Sequence, residues 1–284
     1  MPIIIKVFTY LVVISLALSL IGFYLTLRPY RFITTTTPDQ FGAKFETVQF
    51  KTADGILLKG WFVPSKKPQA KTILVLHGYP ADKGDILPTR IFLHKNYNLL
   101  FMDFRYLGES GGYFSTIGTH EVRDVRAALD YLHHRNIHEV AVWGLSMGGA
   151  TALMSAKHAP EIKAMIAESS YARLDWMANK RYPIPGLNWV VGQLMRLWGY
   201  VFLQLDVKTI QPMHDAAKIE IPLLLLYSKD DELITYDHAL AMQDAVKNNQ
   251  KVQMIIYNGK QHGEPVDHYQ KLVSDFLARY FPAD

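Results

Sequence analysis

The sequence predicts an α/β fold, with a mainly parallel sheet, helices on both faces, an N-terminal antiparallel hairpin and a small helical insertion. Three observations carry this. Short, continuous apolar runs of the kind that form strands buried on both faces recur at 72–76, 98–103, 140–143, 164–167, 223–227 and 252–257. Helical segments at 120–134, 147–158, 236–247 and 266–280 fall between them, and strands alternating with helices imply parallel pairing. Ahead of these, 45–50 and 56–63 flank the turn signal Ala53-Asp54-Gly55 and read as a hairpin.

One interval breaks the alternation. Residues 168–222 are too many for a single crossover helix and are rich in Pro, Trp and Leu, so a cap insertion is expected at about 172–212. Its aromatic residues Trp176, Trp189, Trp198, Tyr200 and Phe202 have an ordinary reading, packing the insertion onto the core. They also suit an acyl-binding wall or a surface lying against lipid.

The chain has 284 residues, 49% of them apolar and 20% charged, which is ample for a large core. Its net charge of +4 comes from basic residues scattered among acidic ones, so no basic stripe for nucleic acid is expected. There is no cysteine, which excludes disulfides, thiolate metal sites and cysteine catalysis. No cofactor is expected.

The first 30 residues are of another kind. Residues 7–27 carry no charge and are bounded by Lys6 and Arg28; as a helix they would be roughly 32 Å long, enough to cross a hydrocarbon core. The expectation is a single-pass membrane anchor at 1–30. A cleaved signal peptide competes, but its apolar region normally spans about 7–15 residues before a small-residue cleavage site. Here the one weak site, Ala17-Leu18-Ser19, lies inside the run. Lys6 and the α-amine flank one end, and Arg28, Arg31 and Lys44 the other, so charge does not select an orientation. Residues 31–44, which include Thr34-Thr35-Thr36-Thr37-Pro38-Asp39, read as a linker, and 45–284 as the main domain.

The pattern Gly-x-Ser-x-Gly occurs twice, at Gly108-Glu109-Ser110-Gly111-Gly112 and at Gly144-Leu145-Ser146-Met147-Gly148. A nucleophilic serine in this pattern needs a sharp strand-to-helix turn. Ser146 has a strand before it and an Ala-, Met- and Leu-rich helix after it. Ser110 has the strand alone, so its expected place is a turn beside the site.

Three segments now appear in order: Leu76-His77-Gly78, then 103–110 (Asp-Phe-Arg-Tyr-Leu-Gly-Glu-Ser), then Gly144-Leu145-Ser146-Met147-Gly148-Gly149. They resemble three successive signatures of the α/β-hydrolases, from about Phe45 to the C-terminus. Thr52-Ala53-Asp54-Gly55 followed by Leu58-Lys59-Gly60-Trp61-Phe62 resembles the membrane-anchored branch of that family. The resemblance implies an α/β-hydrolase fold and the order nucleophile, acid, histidine along the chain.

A serine hydroxyl needs a general base, and the base needs a group to orient it. His262 and His268 follow the last strand; His262 lies in a loop, whereas His268 falls within a helical pattern, so His262 is the expected base. Asp230 and Asp231 follow the penultimate strand. The resemblance favours Asp231, counted from Ser228 and Ile234, although Ser228 stands where the family commonly has glycine. Backbone N–H groups of Met147 and Tyr79 are the expected oxyanion donors. His77 reads as a structural residue of its loop. His134 and His138 have helical metal-pair spacing, but no His-Glu-x-x-His pattern accompanies them. Gly108 to Gly112 could suggest a phosphate loop, yet no Gly-Lys-Ser/Thr follows.

The expected activity is that of a serine hydrolase acting through an acyl-enzyme on a carboxylic ester, a lipid ester or a thioester. A nucleophilic serine argues against the branches of the fold that attack with aspartate. A serine peptidase uses the same groups, and a membrane-bound interaction module with an idle site is the reading from another class.

Overall fold

The computed structural model describes residues 2–180 and 188–283; part of the expected insertion, 181–187, and the chain ends Met1 and Asp284 lie outside the described residues. Among the described residues eight strands form one sheet in the order β1-β2-β4-β3-β5-β6-β7-β8. The strands are β1 (Glu46–Lys51), β2 (Leu57–Val63), β3 (Thr72–Leu76), β4 (Asn98–Met102), β5 (Val140–Leu145), β6 (Ile162–Glu168), β7 (Leu223–Ser228) and β8 (Val252–Tyr257). The first two pair antiparallel as a hairpin, β2 runs antiparallel to β4, and every later pairing is parallel. This is the α/β-hydrolase fold.

The apolar runs become the central strands because both faces are covered. Every residue of β3 and of β7 is buried. Covering one such leucine contributes about 2 kcal/mol. The helices are α1 (Ile3–Leu27), α2 (Lys83–Arg90), α3 (Val122–His134), α4 (Met147–Ser155), α5 (Leu174–Lys180), α6 (Asn188–Leu203), α7 (Pro212–Ala216), α8 (Tyr236–Val246) and α9 (Tyr269–Tyr280). The insertion between β6 and β7 is built from α5 and α6.

Two departures from the sequence reading have clear causes. Helix α2 is absent from the periodicity because Gly84 and Pro88 interrupt its eight residues; the Asp82 side chain starts it by accepting from the Gly84 and Asp85 N–H groups, both at 3.0 Å. The last helix starts at Tyr269 rather than near Val266, since His268 takes a left-handed conformation (φ +58°) and caps it from outside.

The chain divides into two units, Met1–Pro29 with Arg173–Gln211, and Tyr30–Ala172 with Pro212–Asp284. In the first, α1 meets the length and composition needed to cross a membrane: its best window has a mean hydropathy of 2.4 and is only 6% buried, unlike the core helix of a soluble protein. In the second, the segment expected as a linker is tied down. Thr34 donates to Asp82 from its N–H (2.7 Å) and its hydroxyl (2.9 Å), and Arg31 donates to the carbonyls of Gly108 and Ser110 at 2.6 and 2.7 Å.

The loop after β3 is held from within by His77. Its Nδ1 donates to the Gly78 carbonyl (2.7 Å) and its Nε2 accepts the Phe104 N–H (3.0 Å), which requires the neutral imidazole. Burial pushes its pKa below the ordinary 6.5, against the opposing pull of Asp103.

Two outcomes follow from these contacts. Replacing Asp82 with Ala removes four hydrogen bonds at a buried site and should lower the unfolding free energy of the full-length protein by about 2–3 kcal/mol in urea titration. Because His77 is held neutral in the folded state, the unfolded chain binds the extra proton. Its stability contribution is therefore intact above pH 6.5 and falls below it, by up to about 1.4 kcal/mol per pH unit. A His77→Gln variant should lose that part of the pH dependence between pH 7.5 and 5.5.

Candidate active site

Ser146 sits between β5 and α4 with φ +55° and ψ −116°. A non-glycine residue in this region stores about 1–3 kcal/mol of backbone strain. The surroundings impose it. The Ser146 N–H donates to the Glu168 carbonyl (2.7 Å) and its carbonyl accepts from Ala150 N–H (3.0 Å). The flanking glycines permit the bend because a methyl group on Gly144 would stand 2.4 Å from the Gly148 carbonyl group, and one on Gly148 would stand 2.4 Å from the Leu76 carbonyl oxygen. The spacing of small residues in the motif is thus a packing requirement between β3, β5 and the start of α4.

The loop after β3 lies against the same turn: a methyl on Gly78 would be 3.3 Å from the Ser146 Cβ. Tyr79 follows directly. Met147 is the first residue of α4, where backbone N–H groups have no partner inside the helix. Both expected oxyanion donors are therefore next to Ser146 in the chain or one residue from a backbone that touches it.

Ser110 occupies a different environment. It is fully buried, its hydroxyl donates to the Asp103 carbonyl (2.7 Å), and its oxygen accepts the Lys59 N–H (2.9 Å). That hydroxyl joins β2 to the loop after β4 and is engaged in both directions. The neighbouring Asp103 carboxylate binds the Lys83 N–H, the Lys83 ammonium and the Glu109 N–H, so Gly108 to Gly112 wraps a buried carboxylate rather than presenting a cradle for phosphate.

At the carboxyl ends of β7 and β8, the two loops carry an aspartate and a histidine to each other. Asp231 Oδ2 lies 2.7 Å from His262 Nδ1, and Asp231 Oδ1 accepts from the N–H groups of Leu233 (2.9 Å) and Ile234 (2.7 Å). The aspartate side chain is buried and the imidazole is partly exposed. Asp230 points elsewhere and accepts the Gly259 N–H. Ser228, unusual at a position where glycine is common, donates to the Lys260 carbonyl at 2.6 Å and so links the two loops. Beyond His262, a methyl on Gly263 would be 3.6 Å from Leu145 Cδ2, which brings this loop against the residue before Ser146.

Sequence reasoning missed the buried cluster behind the turn. Arg90 from α2 pairs with Glu168 at the end of β6 (2.5 Å), Tyr269 of α9 donates to the same carboxylate oxygen (2.9 Å), and the guanidinium lies 4.0 Å from the Trp143 ring centroid. These residues lie far apart in the chain and share no periodicity, so only an arginine and a glutamate inside apolar surroundings hinted at them. The histidines with metal-like spacing do not converge: His134 bonds the Asp130 carbonyl, while His138 faces His133 at 3.1 Å. Among the described residues no group of three or more His, Cys, Asp or Glu could hold a metal ion.

Known proteins agree with this architecture. The protein YfhR of Escherichia coli is 28% identical over 257 residues, 84% of this chain and 82% of its own length. The α/β-hydrolase domain-containing protein WAV2 of Arabidopsis thaliana is 26% identical over 264 residues, 87% of this chain and 82% of its own. The esterase Pf2001 of Pyrococcus furiosus superposes with a TM-score of 0.73 at 25% identity, covering 89% of this chain and 99% of that one. The Prolyl oligopeptidase family matches residues 89–283, and the chain, an α/β-hydrolase by fold and sequence, belongs to that family.

Proposed function

We propose that the protein is a membrane-anchored serine hydrolase that cleaves carboxylic esters, including lipid esters or thioesters, through an acyl-enzyme. The observation that carries this reading is the 2.7 Å pair between Asp231 and His262, with the His262 loop packed through Gly263 against Leu145 beside the strained Ser146 turn. With Nδ1–H donated to Asp231, the imidazole keeps Nε2 as its acceptor nitrogen. Ser146 Oγ attacks the carbonyl carbon while its proton passes to His262 Nε2. The collapsing tetrahedral intermediate expels the alcohol or thiol, which takes that proton. Water then repeats the sequence on the acyl-enzyme and releases the acid.

Negative charge develops on the substrate oxygen in both steps. Backbone N–H groups of Met147 and Tyr79 are the proposed donors to it; they keep their direction throughout, so no reorganisation is needed as the charge appears. Asp231 serves the developing imidazolium. Its second oxygen is already held by two backbone N–H groups, which fixes its orientation.

Residues 7–27, within α1, are the proposed single-pass anchor, which supports an acyl-chain substrate close to a membrane. The esterase Pf2001 is a neighbour in fold and sequence and points the same way. The family match favours one rival bond, the peptide bond, which the same groups can cleave.

Labelling by a fluorophosphonate probe should be abolished in Ser146→Ala and retained in Ser110→Ala; the reverse pattern would exclude Ser146 as nucleophile. Asp231→Asn should lower kcat by about 10³–10⁴-fold. Asp230→Asn, which changes only a surface contact to Gly259, should stay within about twofold. For substrate class, kcat/KM on p-nitrophenyl esters should rise with acyl length and exceed that on aminoacyl p-nitroanilides. Equal rates across chain lengths would remove the lipid preference, and faster anilide cleavage would favour the peptidase reading.

A further inference from the structure

Helix α6 of the insertion presents an apolar stripe with no covering among the described residues. Trp189, Val190, Leu197, Tyr200 and Val201 are each between 41% and 69% exposed. Positions 190, 197 and 201 stand at i, i+7 and i+11, so they line one side of the helix, with 189 and 200 along its edge. Met195 lies on the opposite, buried side. A soluble surface rarely carries so many contiguous large apolar side chains.

What lies beside α6 identifies the occupant. Helix α6 packs on α1: the Trp198 Nε1–H donates to Ser19 Oγ (3.0 Å), and Phe202 stacks on Phe23 at 6.3 Å between ring centroids. Ser19 is eight residues before Leu27, the end of α1, so this contact lies about 12 Å inward from that end, near the middle of a hydrocarbon core roughly 30 Å thick. A helix held to α1 at that depth meets the same solvent as α1. Its sixteen residues reach about 24 Å, short of a full crossing.

We propose that α6 is embedded beside the C-terminal third of α1 in the leaflet nearest that end, with the stripe through Val190, Leu197 and Val201 against acyl chains; the inference rests on α1 being the anchor. The chemistry of α6 suits that medium. The Trp198 indole N–H has its acceptor on α1, as buried donors away from water require. The charged side chain of α6, Arg196, is off the stripe; its Nη1 donates to Gln193 Oε1 (2.6 Å) and its Nη2 lies 4.0 Å from Asp206 Oδ1, just beyond the helix end. The insertion therefore supplies a second membrane element, and the bilayer contact of the protein is a helix pair.

The absence of cysteine makes the test direct. Single variants Val190→Cys, Leu197→Cys and Val201→Cys of the full chain, labelled with an environment-sensitive nitrobenzoxadiazole probe, are reconstituted in phosphatidylcholine vesicles. Leu11→Cys in α1 reports the anchor, and Lys251→Cys on the second unit reports water. The α6 probes should emit to the blue of the Lys251 probe and lose at least about half of their emission to lipids carrying an acyl-chain nitroxide. If the Leu11 probe is quenched while the α6 probes behave like Lys251, the embedding of α6 is wrong and the anchor stands. Blue-shifted α6 probes untouched by the nitroxide would mean a protein covering, such as a second copy, and would overturn the proposal. An unquenched Leu11 probe would overturn the anchor and this inference together.

Discussion

The close approach of three backbones at Gly148 governs the site. The start of α4 passes so near the end of β3 that only a glycine fits beneath the Leu76 carbonyl, and Gly144 makes the matching space on β5. Ser146 is left between them in a conformation that a free chain would not keep. The strain is balanced by neighbours rather than by the turn itself. The Glu168 carbonyl takes the Ser146 N–H, and the Glu168 carboxylate is fixed by Arg90 and Tyr269. Helices α2 and α9 thus brace the β6 end against which the turn hangs.

A buried Arg–Glu pair is weak evidence for stability, since desolvation offsets most of its attraction. Its value here is directional. The guanidinium lies against both the Trp143 and Tyr269 rings, 4.0 and 5.1 Å from their centroids, and so holds one orientation of the Glu168 side chain. The loops that carry Asp231 and His262 use smaller devices to the same end. Ser228 bonds across to Lys260, and the Leu233 and Ile234 N–H groups aim the aspartate.

The two copies of Gly-x-Ser-x-Gly show how one local pattern serves two purposes. At Ser110 the glycines let a loop fold around Asp103, and the hydroxyl is consumed in bonds to backbone. At Ser146 the glycines clear space for a helix to start. Nothing in the five-residue pattern separates them; the strand and helix on either side do. The insertion adds a further division of labour: Trp198 and Phe202 meet α1, Phe202 while still largely exposed, and Trp189 and Tyr200 are left outward.

Local sequence carried the strands, the hairpin, the insertion and the Ser146 turn, because buried strands are continuously apolar and a tight turn demands small residues at fixed spacing. β8 matches its expected bounds at Val252–Tyr257, and β3 at Thr72–Leu76. It could not carry α2, whose Gly84 and Pro88 hide a helix that Asp82 and the chain packed on it stabilise. Nor could it separate Asp230 from Asp231 without appeal to resemblance, since adjacent side chains differ only in direction, and direction is set by hydrogen bonds to Leu233, Ile234 and His262 across the loop. The Arg90–Glu168–Tyr269 cluster and the seating of Trp198 on Ser19 were likewise decided in three dimensions: each joins residues separated by tens of positions or more, and such contacts leave no period in the chain.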